Sequence, residues 1–180
     1  MKKLLNHKIK GLAVLTLMMM LALPCIWAVS GDKSGKVLTG KVVKVADGDT
    51  FTMLVKGNKQ VKVRMYGIDA PEMTGSQPYC RQSKDKLAEM VAGKQVTVLV
   101  TDYDRYGRAL GVVSTADCKD VNIEMLKAGL AWHYKQYDQT PAYINAARKA
   151  KQLRKGLWGD RRQPVNPANW RKAQKKQVKL

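Results

Sequence analysis

Between Val45 and Arg108 the chain places four acids and two arginines where a phosphodiester could be worked on. Asp47 and Asp49 flank Gly48 in a turn, Asp69 and Glu72 lie in the segment GIDAPE, Arg64 stands just before that segment, and Arg108 closes DYDRYGR. A phosphodiester is an anion, so attack by water requires that its charge be neutralised and the water be held in line. A divalent cation and two arginines can do the first, and a carboxylate or the cation can do the second. Carboxylates from neighbouring strand ends, with a backbone carbonyl and waters, make a hard-cation site suited to calcium. A guanidinium donates in a planar fork that matches two phosphate oxygens and stays charged at any working pH. On spacing alone a plainer account stands beside this one: DGDT is a hairpin turn, Asp69 and Glu72 cap backbone amides, and Arg64 pairs with Asp69 with no phosphate involved. If Asp47 serves the turn, Asp49 is the better ligand candidate.

These residues need elements to hold them. VLTGKVVKVA, TFTMLVK and QVKVRMY read as three strands joined by the turns DGDT and KGNK. The third is the clearest, with Val61, Val63 and Met65 on one face and Lys62, Arg64 and Tyr66 on the other. Pro78 opens a helix that Gly93 stops, KQVTVLVTDY and ALGVVSTA are paired strands, and VNIEMLKAGL is a short helix. A third helix runs from Thr140 as N-cap, with Pro141 at its first position, to Gly156. Five strands with a helix after the third is the arrangement of a small Greek-key barrel, so the expected class is mainly β with helices (α+β): a five-stranded OB-fold barrel with three helices.

The chain has 180 residues, 33 of them basic and 14 acidic. Four of those lysines and none of the acids fall in the first thirty residues, which leaves a formal charge of about +15 on the remainder. Such a charge draws polyanions to the surface. Residues 1–30 join a basic start to an apolar run from Gly11 to Trp27, too short for a lasting span of roughly 20 apolar residues, and read as a signal peptide cleaved after Ser30. Export to the periplasm or the medium is expected. Cys80 and Cys118, the only cysteines beyond Cys25, are then a candidate disulfide. The expected organisation is the signal peptide, a domain over 31–160, and a basic, flexible tail over 161–180. A monomer without an evident protein partner is expected.

The segments VADGDT (45–50), VRMYGIDAPE (63–72), DRYGR (104–108), VNIEMLKAGLAW (121–132) and RKGLW (154–158) together resemble the thermonuclease, or staphylococcal nuclease, family in order and spacing. The resemblance implies an OB-fold barrel with one calcium ion, held by Asp49, Asp69 and the main chain of Ala70. It implies that Glu72 activates or positions water and that Arg64 and Arg108 hold phosphate. It further implies an endonuclease or exonuclease acting on DNA and RNA with little sequence specificity, leaving 3′-phosphate ends. Tyr106 and Tyr137 are the expected substrate contacts. Lys135 stands where the best-known member has a second pocket tyrosine, so base stacking is either weaker or supplied by Trp132 or Tyr134. His133 reads as structural. The rival reading is a non-catalytic nucleic-acid-binding module used in adhesion or uptake.

Overall fold

A computed structural model describes residues 35–161 and 163–177 of the chain. The expected signal segment lies outside the described residues.

Strands β1 (Lys36–Val45), β2 (Thr50–Val55), β3 (Lys59–Met65), β5 (Gln95–Tyr103) and β6 (Ala109–Ser114) close into one barrel in the order β1-β2-β3-β6-β5. Closure comes from parallel pairing of β3 with β6 and antiparallel pairing of β1 with β5. β1 serves two partners, and Gly40 is paired with both Val55 and Val96. A Cβ at Gly40 would lie 2.3 Å from the Leu54 carbonyl oxygen, so only glycine fits where the strand passes between neighbours. Irregularities at Val42/Lys44 and Val100/Asp102 bend the two long strands around the barrel.

The period-two pattern delivers the core. Val42, Phe51, Met53, Val63, Met65, Val96, Val98 and Val113 are buried inside. Helices α1 (Cys80–Val91), α2 (Val121–Lys127) and α3 (Pro141–Gln152) add Leu87, Val91, Met125, Leu126 and Tyr143 to the same cluster. Asp120 caps α2 by accepting from the Ile123 N–H at 2.9 Å. Asn122 is fully buried and stitches the frame: its amide donates to the carbonyls of Tyr66 (2.9 Å) and Gly111 (3.1 Å) and its oxygen accepts from Val113 N–H (3.0 Å). Two short strands, β4 (Ile68–Asp69) and β7 (Trp132–His133), pair beside the barrel.

Several expectations need correction. α1 begins at Cys80 because Tyr79, at φ +70°, is left-handed and cannot continue a helix back to Pro78. Thr140 holds the N-cap position of α3, but its hydroxyl donates to Asp138 and caps nothing. Cys80 and Cys118 are both free; Cys118 packs on the barrel core, whereas Cys80 starts α1 outside that cluster. Within the segment read as a flexible tail, a fourth helix forms, α4 (Pro167–Gln177). Its docking uses hydrogen bonds from the Trp170 indole to the Thr74 carbonyl (3.1 Å) and from the Gln77 amide to the Val165 carbonyl (2.7 Å). No helix among the described residues is long and apolar enough to cross a membrane.

Candidate active site

Asp49, Arg64 and Asp69 converge because their strands end together. Thr50, the first residue of β2, is registered with Arg64 on β3, and the Met65 N–H donates to the Asp49 carbonyl at 2.8 Å. After the left-handed turn residue Gly67 (φ +73°), β4 presents Asp69 opposite Trp132 of β7. The Asp49 turn is fixed from behind as well. A Cβ at Gly48 would fall 1.8 Å from the Ser83 hydroxyl on α1 and 2.9 Å from the Ala70 side chain, so only glycine lets the turn pack there.

Arg64 is the hub of this cluster. Its Nη1 donates to the carbonyls of Met65 (3.0 Å) and Ile68 (2.8 Å). Its Nη2 lies between two carboxylates, 2.9 Å from Asp69 Oδ1 and 3.2 Å from Asp49 Oδ2. Asp49 also accepts from the Thr50 hydroxyl (3.0 Å) and the Ala70 N–H (2.6 Å). Asp49 and Asp69 are 5 % and 2 % exposed, so these charges survive burial only through such partners. Asp47 takes the turn role, accepting from the Asp49 N–H at 3.0 Å.

Glu72 is positioned through its backbone. Its N–H donates to the side-chain oxygen of buried Gln77 (2.9 Å), and its carbonyl accepts from the Gln77 N–H (3.1 Å). Its carboxylate meets Arg171 of α4, whose guanidinium also forks onto both oxygens of Asp69 at 3.2 and 3.1 Å. Gln77 and Arg171 escaped the sequence reading. Arg171 acts across about a hundred residues, and Gln77, although only five residues from Glu72, sits in an irregular loop where no periodic pattern marks a buried amide.

Arg108 is not drawn onto these acids. Its Nε pairs with Asp104 at 2.7 Å in the loop before β6, beside the exposed ring of Tyr106. Hydrogen bonds from Arg108 and the Tyr106 N–H hold the Asp104 carboxyl below its ordinary range against the opposing effect of burial. Tyr137 is also exposed, edge-on to Tyr134 at 4.7 Å. Trp132 is buried against Trp158, so it offers no face to a base. His133 is tied by its Nε2 to Asp138 at 2.8 Å among buried groups, in keeping with a structural residue.

A hard cation fits this donor set. All the offered ligands are oxygens: three acids (Asp49, Asp69, Glu72) meet two guanidiniums, Arg64 and Arg171, and Asp47 lies beside Asp49 in the turn. Burial pushes the Asp69 carboxyl above its ordinary range, and burial together with the neighbouring Asp49 pushes Asp47 up to about 7; added positive charge would relieve both. Among the described residues no group of three or more His, Cys, Asp or Glu side chains is placed to hold a metal ion by itself. The chain would supply part of a hard cation's six to eight oxygens, leaving positions for water and a phosphate.

The family model described as staphylococcal nuclease homologue matches residues 62–160. An uncharacterized endonuclease of Haemophilus influenzae is 44% identical over 137 residues, covering 76% of this chain and 75% of that protein. An uncharacterized endonuclease of Escherichia coli O157:H7 is 45% identical over 132 residues, covering 73% and 84% respectively. A probable staphylococcal-like nuclease of Oryza sativa subsp. japonica is 44% identical over 114 residues, 63% of this chain but only 33% of the longer plant protein. With the closed barrel and the matched segment, the chain belongs to the staphylococcal nuclease homologue family.

Proposed function

We propose that this chain is an exported, calcium-dependent nuclease that hydrolyses phosphodiester bonds of DNA and RNA with little sequence specificity and leaves 3′-phosphate ends. The observation that carries this reading is the cluster of Asp49, Arg64 and Asp69 where the strands end, with Glu72 joined to Asp69 through Arg171. The endonuclease and nuclease names of the relatives support the same chemistry, and the composition of the first thirty residues supports export.

Asp49 and Asp69, with the main chain at Ala70, would hold the cation. When bound, it supplies positive charge at a phosphate oxygen and at the attacking water. Glu72 accepts the proton of that water or aligns it; a P–O bond forms as the bond from phosphorus to the 5′ oxygen breaks, and the 5′ oxygen takes a proton from solvent. Arg108, in a loop at the start of β6, leaves Asp104 to add its fork to the five-coordinate phosphorus, where a delocalised guanidinium stabilises the extra charge. Exposed Tyr106 and Tyr137 offer ring faces to bases.

The test is digestion of circular plasmid DNA and of single-stranded RNA with calcium or with chelator, followed by end analysis. Both substrates are expected to be cut only with calcium and to yield 3′-phosphates. Undiminished cutting in chelator removes the cation from the account. No cutting in either condition favours a non-catalytic nucleic-acid-binding module.

A further inference from the structure

α4 lies beyond the matched segment 62–160, yet it delivers the guanidinium that takes both Asp69 oxygens and one of Glu72. The contact is built rather than incidental. Asn166 caps the start of the helix through the Ala168 N–H (2.9 Å), Trp170 and Val165 bond the loop after Glu72, and a Cβ at Gly75 would lie 2.7 Å from the Gln174 amide. The helix carries Arg171, Lys172, Lys175 and Lys176 and no acid. Lys175 and Lys176 repeat Arg171 and Lys172 one turn on, about 6 Å along the helix axis. A basic strip therefore continues along the helix from Arg171, which touches the site.

We propose that Arg171 is a third arginine of the site: a substrate-binding residue that rests on Asp69 and Glu72 in the free protein and moves to a phosphate of the nucleic-acid strand once a cation holds those carboxylates. This rests on the nuclease reading above. A cation at Asp69 competes with the forked guanidinium: Oδ1 already accepts from Arg64 as well as Arg171, Oδ2 accepts from Arg171, and a second positive charge on the same carboxylate repels the guanidinium. Glu72 is likewise a weaker proton acceptor while Arg171 holds its Oε1, because the adjacent positive charge stabilises the ionised carboxylate. Both conflicts end when the guanidinium turns to an incoming phosphate, which offers it the same planar pair of acceptors. By linkage, cation and strand each favour the arrangement that suits the other.

The test compares wild type with Arg171→Gln and Arg171→Lys at equilibrium. Calcium alone is titrated by calorimetry, and a fluorescent single-stranded DNA oligonucleotide is bound in calcium across a salt series, with Glu72→Gln in every chain so that the strand survives. Arg171→Gln is expected to bind calcium about threefold or more tightly, the gain that corresponds to a removed competitor occupying the site for about two-thirds of the time or more. It is expected to bind the strand more weakly, with a log–log salt slope shallower by about 0.7, one phosphate contact on a single strand. Arg171→Lys is expected to keep the slope. An unchanged slope in Arg171→Gln, or calcium affinity that stays level or falls, overturns the proposal. Wild type that takes up no calcium would instead reject the metal reading, and the salt slope would still decide whether Arg171 reaches phosphate.

Discussion

Glu72→Gln is expected to lower turnover on the order of 10²- to 10⁴-fold while leaving the fold intact. The loss is large because an amide cannot take a proton from water at the phosphorus. The fold is spared because the Glu72 backbone, not its carboxylate, is what Gln77 grips through two hydrogen bonds. The side chain's contact is with Arg171, and a glutamine oxygen still accepts from it. Single-turnover rates and a thermal melt check both halves. Wild-type turnover would remove Glu72 from the chemistry, and a collapsed melt would make its role structural.

Arg64→Gln is expected to behave in the opposite way, with stability falling first, by about 3–5 kcal/mol. Its guanidinium is the direct partner of both buried aspartates and of two backbone carbonyls, so its removal leaves several acceptors short at once. Urea unfolding measures the loss. Calcium is expected to restore more stability to this variant than to wild type, because a bound cation supplies the charge that the buried carboxylates have lost. A variant as stable as wild type would show that the ion pairs contribute nothing. Equal calcium rescue in both chains would separate Arg64 from the cation site. In this structure the fork of Arg64 is engaged within the protein, so its first task is to hold Asp49 and Asp69 in place, and any phosphate contact comes through rearrangement of that network.

The strands were legible because alternation is a local signal. Val63 and Met65 point inward and Arg64 stands at the carboxylates, as the third strand's pattern requires. The turn role of Asp47 was legible too, since an Asx turn engages the first acid of such a pair. α4 was not. Its Pro, Asn, Gln and Lys composition gives only a weak apolar stripe, and what holds it are single side-chain to backbone bonds to Thr74 and Gln77, some ninety residues away. The third guanidinium at the site was hidden for the same reason. Trp132 misled because an aromatic in a motif shows neither face nor depth; its ring is enclosed against Trp158. The cysteine pairing rested on an even count, which carries no geometry, and both thiols are free.

The central claim is that a cation seated at Asp49 and Asp69 is required for cleavage. The most direct measurement is the calcium dependence of turnover on one labelled single-stranded oligonucleotide, for wild type and for Asp69→Asn. Wild type is expected to rise to a plateau with calcium and fall to background in chelator. Asp69→Asn is expected to need at least about tenfold more calcium for half its own plateau, as altered support of a metal site typically costs 10- to 100-fold in affinity. Superimposable calcium curves for the two chains, or wild-type cleavage that persists in chelator, would contradict the account.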